Sequence, residues 1–357
     1  MKKVAIIGTV GVPANYGGYE TMVDNMLDYT PPDVEYTVYC SKKAYEERLK
    51  EYKGAKLKYL PFKANGPQAL IYDAFSILSA YFKNDVILAL GTAGCYVLPI
   101  LKLIKKKKII LNYDGYETKR DKWGSATKVL LSTLRKIASK QADIHIADND
   151  AIAPLVKEEF GVDAFIIEYG GDGAFKVKDD EKLQKEYGLT PQGYYFNVAR
   201  IEPENNIHVM LESFAHMPDR QLVLVGNWKK NRYGAELLNQ FKDYKNIKMF
   251  DPIYEKKEIN LLRSNCKVYI HPHSVGGTNP SLVEAMYLGL PIMAFDVIYN
   301  RMTTENKALY FKDVESLCSL VEQIDDGKLK MIAIDMDEIS NRRYLWETIS
   351  KKYVDLY

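Results

Sequence analysis

Short apolar or β-branched runs alternate with longer helix-period segments along almost the whole chain, and this narrows the possible folds more than any other feature. It is the pattern of parallel βαβ units, whose doubly covered strands read as near-continuous apolar stretches. The first half predicts strands at VAIIG (4–8), YTVYC (36–40), DVILAL (85–90), KIILNY (108–113), DIHIAD (143–148) and AFIIEY (164–169). A glycine- and charge-rich stretch at 170–180 interrupts the alternation. It resumes with YYFNVA (194–199), LVLVG (222–226), IKMF (247–250), VYIHP (268–272) and PIMAF (291–295). At 357 residues the chain exceeds a usual single domain, so the expectation is two successive doubly wound α/β halves, 1–172 and 173–338. Residues 339–357 place Tyr344, Leu345, Ile349, Tyr353 and Leu356 at helical spacing, a terminal helix that must pack on structure already built.

Composition removes several classes. With 47% apolar and 27% charged residues the chain is neither disordered nor fibrous. A net charge of +2 argues against a nucleic-acid binder. It hides an asymmetry, because residues 100–140 carry twelve Lys and Arg against three acids. Cys40, Cys95, Cys266 and Cys318 lie too far apart for a zinc knuckle or a dense disulfide framework, which fits a reducing cytoplasm. The longest apolar stretch, 86–104, is broken by Gly91, Gly94 and Pro99 and reads as a strand followed by a helix, so no membrane span is expected. Nor does the start of the chain show a signal-peptide pattern.

Two loops look built for phosphate. Gly8, Gly11, Gly17 and Gly18 follow the first strand and lead into YETMVDNML, a helix start whose free N–H groups and dipole suit an anion. The G-x-G-x-x-G dinucleotide fingerprint is absent, which lowers the case for a nicotinamide enzyme. In HPHSVGGTNPSLVEAM, a strand gives way to Gly276 and Gly277, then Thr278 or Asn279 caps a helix opened by Pro280. Glu284, one turn in, can accept a ribose hydroxyl while a diphosphate sits on the amides below. Arg200 follows a strand and can reach the same diphosphate, or pair at the surface with Glu202.

This second segment resembles the signature of glycosyltransferase family 4, and other motifs follow in order. GTVGVPANYGGYET, NYDGYETKRDKW and HSVGGTNPSLVEAM resemble a rhamnosyltransferase-like branch of that family. NVARIEPENNIHVMLESF is similar to the family's Arg-x4-Lys phosphate site. The resemblance implies a GT-B fold, two Rossmann-like domains with the nucleotide sugar in the cleft between them, and a last helix that crosses back to the first domain. It implies donor-binding roles for Gly17, Gly18, Arg200, Asn205, Gly226, Gly277, Thr278, Asn279 and Glu284. Asn205 stands where lysine is usual, and Gly276 stands where the family has the first acid of Glu-x7-Glu. Asp114 falls where a catalytic or acceptor-contacting His is common, with Glu117 and Trp123 on the acceptor side; Asp114 can also be the turn residue of Asp-Gly. Tyr113 and Tyr116 can stack on sugars or pack in the core.

The implied function is a retaining, metal-independent transferase that moves a sugar, with L-rhamnose from TDP-L-rhamnose leading, to a lipid-linked or other glycan acceptor in cell-surface polysaccharide assembly. No cofactor is expected. A GT-B nucleotide-sugar epimerase and a non-catalytic partner subunit are the alternatives. Metal readings of Asp148-Asn149-Asp150, where Asp150 suits a helix cap, and of His271 with His273 lack further ligands. Lys105, Lys106, Lys107 and Lys108 join a helix to a strand. Lys119, Arg120, Lys122, Lys128, Arg135, Lys136 and Lys140 interleave with aliphatic residues as a basic amphipathic helix. These stretches are expected to meet an anionic membrane, placing a cytoplasmic protein peripherally on the inner face of the plasma membrane.

Overall fold

The computed structural model describes residues 1–14, 17–113 and 125–357, with only the backbone described for Ser125, Ala126 and Lys128. These residues form two compact units, Met1–Tyr169 with Trp346–Tyr357, and Gly170–Leu345.

The first unit is built on β1 (Lys2–Ile7), β2 (Val34–Ser41), β3 (Glu51–Tyr52), β4 (Ala55–Leu60), β5 (Val86–Leu90), β6 (Lys108–Tyr113), β7 (Ile144–Ala147) and β8 (Phe165–Ile166). Their order is β3-β4-β2-β1-β5-β6-β7-β8, and every pairing is parallel except β3 with β4. β1 lies inside the sheet, and Val4, Ala5 and Ile6 are wholly buried, as the apolar run VAIIG requires. The chain leaves β1 toward β2 on one side and later returns to β5 on the other. That reversal marks the edge where ligands bind in open α/β sheets, outside the strand C-termini. By the right-handed crossover rule, helix Gly18–Leu27 covers one face, and helices Ala69–Tyr81, Leu98–Ile104, Ser125–Gln141 and Ile152–Phe160 cover the other.

The β3–β4 hairpin was not expected from periodicity. Lys53 and Gly54 both take positive φ, 47° and 77°, the geometry of a two-residue primed turn, and the flanking strand is half exposed with Lys56 and Lys58 along it.

The tail also differs from expectation. Residues 339–343 end the long helix Asp326–Arg343 of the second unit, where Tyr344 is buried and donates its hydroxyl to the Thr303 carbonyl at 2.8 Å. The returning helix starts only at Trp346 and runs to Val354. It packs on helix Gly18–Leu27, its Tyr353 hydroxyl accepts from Asn112 Nδ2 at 2.6 Å, and Tyr36 donates to the Tyr357 hydroxyl at 2.9 Å.

The second unit holds a six-stranded parallel sheet of β9 (Tyr194–Val198), β10 (Gln221–Val225), β11 (Ile247–Phe250), β12 (Val268–His271), β13 (Ile292–Phe295) and β14 (Leu309–Phe311), in the order β11-β10-β9-β12-β13-β14. β14, three residues long, carries too little pattern to be read from sequence. The order reverses between β9 and β12, so the loops after these two strands bracket this unit's ligand edge. No helix among the described residues is long and apolar enough to cross a membrane. All four cysteines are free thiols, Cys40, Cys95 and Cys266 being buried.

Candidate functional site

In the second unit the two loops at the reversal are sewn together. Asn206, in the left-handed region at φ 49°, donates from Nδ2 to the Pro272 carbonyl at 3.0 Å, and Ser274 donates from N and Oγ to the Glu204 carbonyl at 3.1 and 2.8 Å. Asn205 is buried, and its Nδ2 donates to the Arg200 carbonyl at 2.7 Å. The residue that replaces the expected lysine therefore acts as a brace on the Arg200 backbone. Gly226 serves the same loop by absence. A Cβ there would lie 2.5 Å from Ile201 Cδ1 and 2.7 Å from the Ala199 carbonyl oxygen, so only glycine lets the turn after β10 lie against residues 199–201.

Arg200 is exposed and makes no ion pair among the described residues. The alternative of a pair with Glu202 is not realised. Glu202 faces Lys230 at 3.9 Å and accepts from Asn231 at 3.1 Å. A guanidinium held by a braced backbone with its fork unengaged is suited to a diphosphate.

The loop after β12 leads into helix Pro280–Tyr287. Asn279 is its cap, accepting from Ser281 N at 3.0 Å and Ser281 Oγ at 2.8 Å, and Thr278 beside it is buried. Gly276 has φ 140°, a conformation that L side chains seldom adopt, although the space around it is open. The missing first acid thus coincides with a backbone shape that disfavours any side chain.

Glu284 is half-buried, and its Oε2 lies 2.6 Å from Nη1 of Arg263. Sequence reasoning missed Arg263. It sits on helix Lys256–Ser264 between Leu262 and Ser264, is 5% exposed, and also reaches Asn260 Oδ1 at 3.5 Å. The usable signal was an arginine on the buried side of an amphipathic helix, since such a charge needs a partner. The pair fixes one oxygen of Glu284 and leaves Oε1 without a hydrogen bond among the described residues, available to a hydroxyl.

His271 is wholly buried at the end of β12, its ring stacked on His273 at 4.4 Å and 7°. Burial pushes its pKa well below the usual range, so it is neutral. The parallel rings do not converge on a point, and no group of three or more metal-ligating side chains occurs among the described residues. At the Asp148-Asn149-Asp150 triplet Asn149 Oδ1 accepts from Ala151 N at 2.9 Å, and Ala151, not Asp150, holds the cap position of the helix beyond.

In the first unit the glycine loop holds an anion of its own. Glu20, in the first turn of helix Gly18–Leu27, is buried and accepts from Thr9 Oγ1 at 2.9 Å and Val10 N at 2.6 Å. Gly17 has φ 131°, and a Cβ there would fall 1.8 Å from Glu20 Oε2. Gly18 faces the Tyr169 ring, whose hydroxyl would be 3.6 Å from a Cβ. The favourable end of this helix dipole is thus met by the Glu20 carboxylate, which the absence of a side chain at Gly17 accommodates.

Asp73 is a second unanticipated acid. It lies on helix Ala69–Tyr81, nine-tenths buried, with no hydrogen bond among the described residues, and burial pushes its pKa up to about 7. Its neighbours place it between the loops after β1 and β5. Tyr72 donates to the Thr9 carbonyl at 3.0 Å, and a Cβ on Gly94 would lie 2.5 Å from Asp73 Cβ.

Asp114, Tyr116, Glu117, Lys119, Arg120, Lys122 and Trp123 lie outside the described residues, as does the side chain of Lys128. Tyr113 is a core residue and not a sugar platform: it is wholly buried, 3.0 Å from His145 Nδ1 and stacked on Phe160 at 5.5 Å. Arg135 is likewise no part of a basic surface. It is buried, 3.3 Å from Glu159 Oε2, over the rings of Tyr113 and Phe160.

Residues 179–326 match the family described as Glycosyl transferases group 1, and residues 1–172 match the family described as Domain of unknown function (DUF1972). No curated protein matches the sequence. Among solved structures, sucrose-phosphate synthase of Thermosynechococcus elongatus superposes with a TM-score of 0.84 at 16% identity over 100% of this chain and 98% of that one. HepE of Anabaena, in a complex with UDP-glucose, gives 0.77 at 16% over 99% and 98%. A glycosyltransferase of Rickettsia africae gives 0.76 at 13% over 100% and 97%. At such identities the likeness establishes the two-sheet fold, and the matched domain adds the class. The second of its two Rossmann-like units is a Glycosyl transferases group 1 domain, and the chain has the GT-B fold of glycosyltransferases.

Proposed function

We propose that the protein transfers a sugar from a nucleoside diphosphate donor to a glycan acceptor with retention of configuration. The observation that carries this reading is the Glu284–Arg263 pair, with Glu284 on the helix whose leading loop is hydrogen-bonded to the braced Arg200 loop, within the group 1 domain. Glu284 Oε1 receives a ribose hydroxyl, and Arg200 with the amides at the start of helix Pro280–Tyr287 takes the diphosphate. Asn279, whose side-chain oxygen is engaged as the cap, contributes by holding that helix start, and Gly277 with Thr278 lets the backbone come close. As the sugar–phosphate bond breaks, Arg200 offsets the charge growing on the leaving phosphate, and that phosphate takes the acceptor proton on the same face of the sugar. Such a route needs neither a protein nucleophile nor a metal. Asp114, with Glu117 and Trp123, is proposed to orient the acceptor hydroxyl.

For the donor we favour TDP-L-rhamnose on the resemblance of the loop motifs, and for the acceptor a lipid-linked glycan of cell-surface polysaccharide at the inner face of the plasma membrane. A UDP-hexose is the second donor reading, favoured by the UDP-glucose complex of the HepE structure. Ribose offers Glu284 two hydroxyls where deoxyribose offers one.

A thermal-shift panel of nucleotide sugars tests the donor. A ligand at about 100 times its Kd stabilises the folded state by ~2.7 kcal/mol, a shift of a few degrees. Stabilisation by one donor, followed by product only when acceptor is added, supports transfer; an epimer from donor alone points to an epimerase. If no nucleotide sugar stabilises the protein and none is consumed, the proposal fails.

A further inference from the structure

The outer face of helices Ala69–Tyr81, Leu98–Ile104 and Ser125–Gln141 is apolar where a surface is ordinarily polar. Helix Ala69–Tyr81 is hydrophobic on two sides. Tyr72, Ile77 and Tyr81 are buried, while Ile71, Phe75, Leu78 and, just past the helix end, Phe82 are 42–52% exposed. Their spacing of four, three and four residues sets them on one stripe. On the next helix Leu103 and Ile104 are 88% and 67% exposed, and on the third Val129 is 67% exposed. The three helices adjoin on one face of the sheet: the first packs on the second and the second on the third, and Tyr81 donates its hydroxyl to the Lys105 carbonyl at 2.6 Å. A continuous exposed apolar surface of this kind marks an interaction site.

Charge identifies the partner. These helices carry a single acid, Asp73, and it is buried. Lys83, Lys105, Lys106, Lys136 and Lys140 are all exposed at the ends and on the flank of the same elements. Arg135, the one base of this group turned inward, is engaged with Glu159. Asp85 and Asp143 are the exposed acids flanking these helices, and Asp143 is paired with Lys102 at 3.0 Å, so the lysines predominate. A surface with apolar residues at its centre and a net excess of lysines around it complements phosphates over hydrocarbon, where the lysine stems also lie against the apolar layer.

We propose that this face docks on an anionic lipid bilayer, with Leu103, Ile104 and the Ile71-to-Phe82 stripe entering the acyl boundary and the lysines meeting headgroup phosphates. The proposal rests on the peripheral-membrane part of the function above and not on sugar transfer. It moves the contact from lysines alone to an inserted apolar surface, and it removes Arg135 from that contact.

Co-sedimentation of the full chain with phosphatidylcholine vesicles, with and without phosphatidylglycerol, tests it. Binding should be at least about tenfold stronger with the anionic lipid. Leu103→Ser with Ile104→Ser, and separately Phe75→Ser with Leu78→Ser, should each weaken partition about tenfold or more. Lys105→Ala with Lys106→Ala should weaken it about 25-fold, about fivefold for each lysine. All these positions are exposed, so thermal stability and its response to nucleotide sugar should match wild type. Equal binding to both vesicle types, or unchanged binding by the paired variants, overturns the proposal. So does a sedimentation-velocity dimer that Leu103→Ser with Ile104→Ser dissociates, since a second copy would then be the occupant. Vesicle binding without any donor response in wild type would instead remove the transferase reading and leave this surface standing.

Discussion

Arg263 Nη1 stands 2.6 Å from Glu284 Oε2, a buried guanidinium on one helix holding a half-buried carboxylate on the next. Removing either partner has different consequences. Glu284→Ala leaves a buried cation without its anion and should cost stability, about 2–4 kcal/mol, as well as donor affinity. Glu284→Gln keeps the shape and should cost mainly affinity. Arg263→Met removes the charge and leaves an acid that still reaches solvent, so donor affinity should fall about tenfold through loss of orientation. In a double-mutant cycle by calorimetric titration the two losses should be strongly non-additive. Full additivity would mean that Arg263 does not act through Glu284.

Arg200 and Asn205 should separate chemistry from folding. Arg200 is exposed and makes no ion pair among the described residues, so Arg200→Ala should leave the unfolding free energy within ~0.5 kcal/mol of wild type while lowering kcat about 100-fold. Asn205→Ala removes a buried hydrogen bond to the Arg200 carbonyl and should cost about 1–3 kcal/mol. Asn205→Lys, which restores the residue usual in the resembled family, should destabilise the chain because it buries a charge at a 2% exposed position. Denaturant melts alongside initial rates distinguish these outcomes.

Asp73 makes stability depend on pH. Burial raises its pKa from an ordinary 3.8 to about 7, so between those values the folded chain holds a proton that the unfolded chain has released. The neutral carboxyl is accommodated fully below the lower value, and stability falls as pH rises through the upper one, by on the order of 4 kcal/mol from this group. Asp73→Asn should therefore melt several degrees above wild type at pH 8 and close to it at pH 4. A difference that does not change with pH would remove the assignment.

Gly17→Ala tests the internal anion. The substitution sets a methyl against Glu20 Oε2 at a φ of 131°, so it should destabilise the first unit by roughly 2–4 kcal/mol. Adding Glu20→Ala should relieve the clash but not the backbone strain, recovering part of the loss in a thermal melt.

The strands that carry the site were legible because each is buried on both faces, which writes it as an apolar run such as VAIIG or LVLVG. The β3–β4 hairpin was not, because that edge of the sheet is half open to water and needs no such run, and β14 was not, because its three residues carry too little pattern. The positions of Arg200, Asn279 and Glu284 at strand and helix ends follow from the βα alternation. Their partners do not. Arg263 comes from the preceding helix, and Glu20 reads as an ordinary acid near a helix start until its loop folds over it. Arg135 illustrates the reverse error: a guanidinium within a basic run reads as surface, yet two aromatic rings and Glu159 draw it inward.

The return of helix Trp346–Val354 to the first unit makes that unit discontinuous in the chain, whereas Gly170–Leu345 is continuous. During synthesis the second unit can close as soon as its own residues emerge, but β1, β2 and β6 wait for Tyr357, Tyr36's hydroxyl partner, and for Tyr353, which pairs with Asn112. The first-made half is therefore the last to be completed, and a released chain truncated after residue 345 would hold every residue of the second unit but an unsealed first one. A chaperone that shields the open N-terminal sheet should then matter most late in translation.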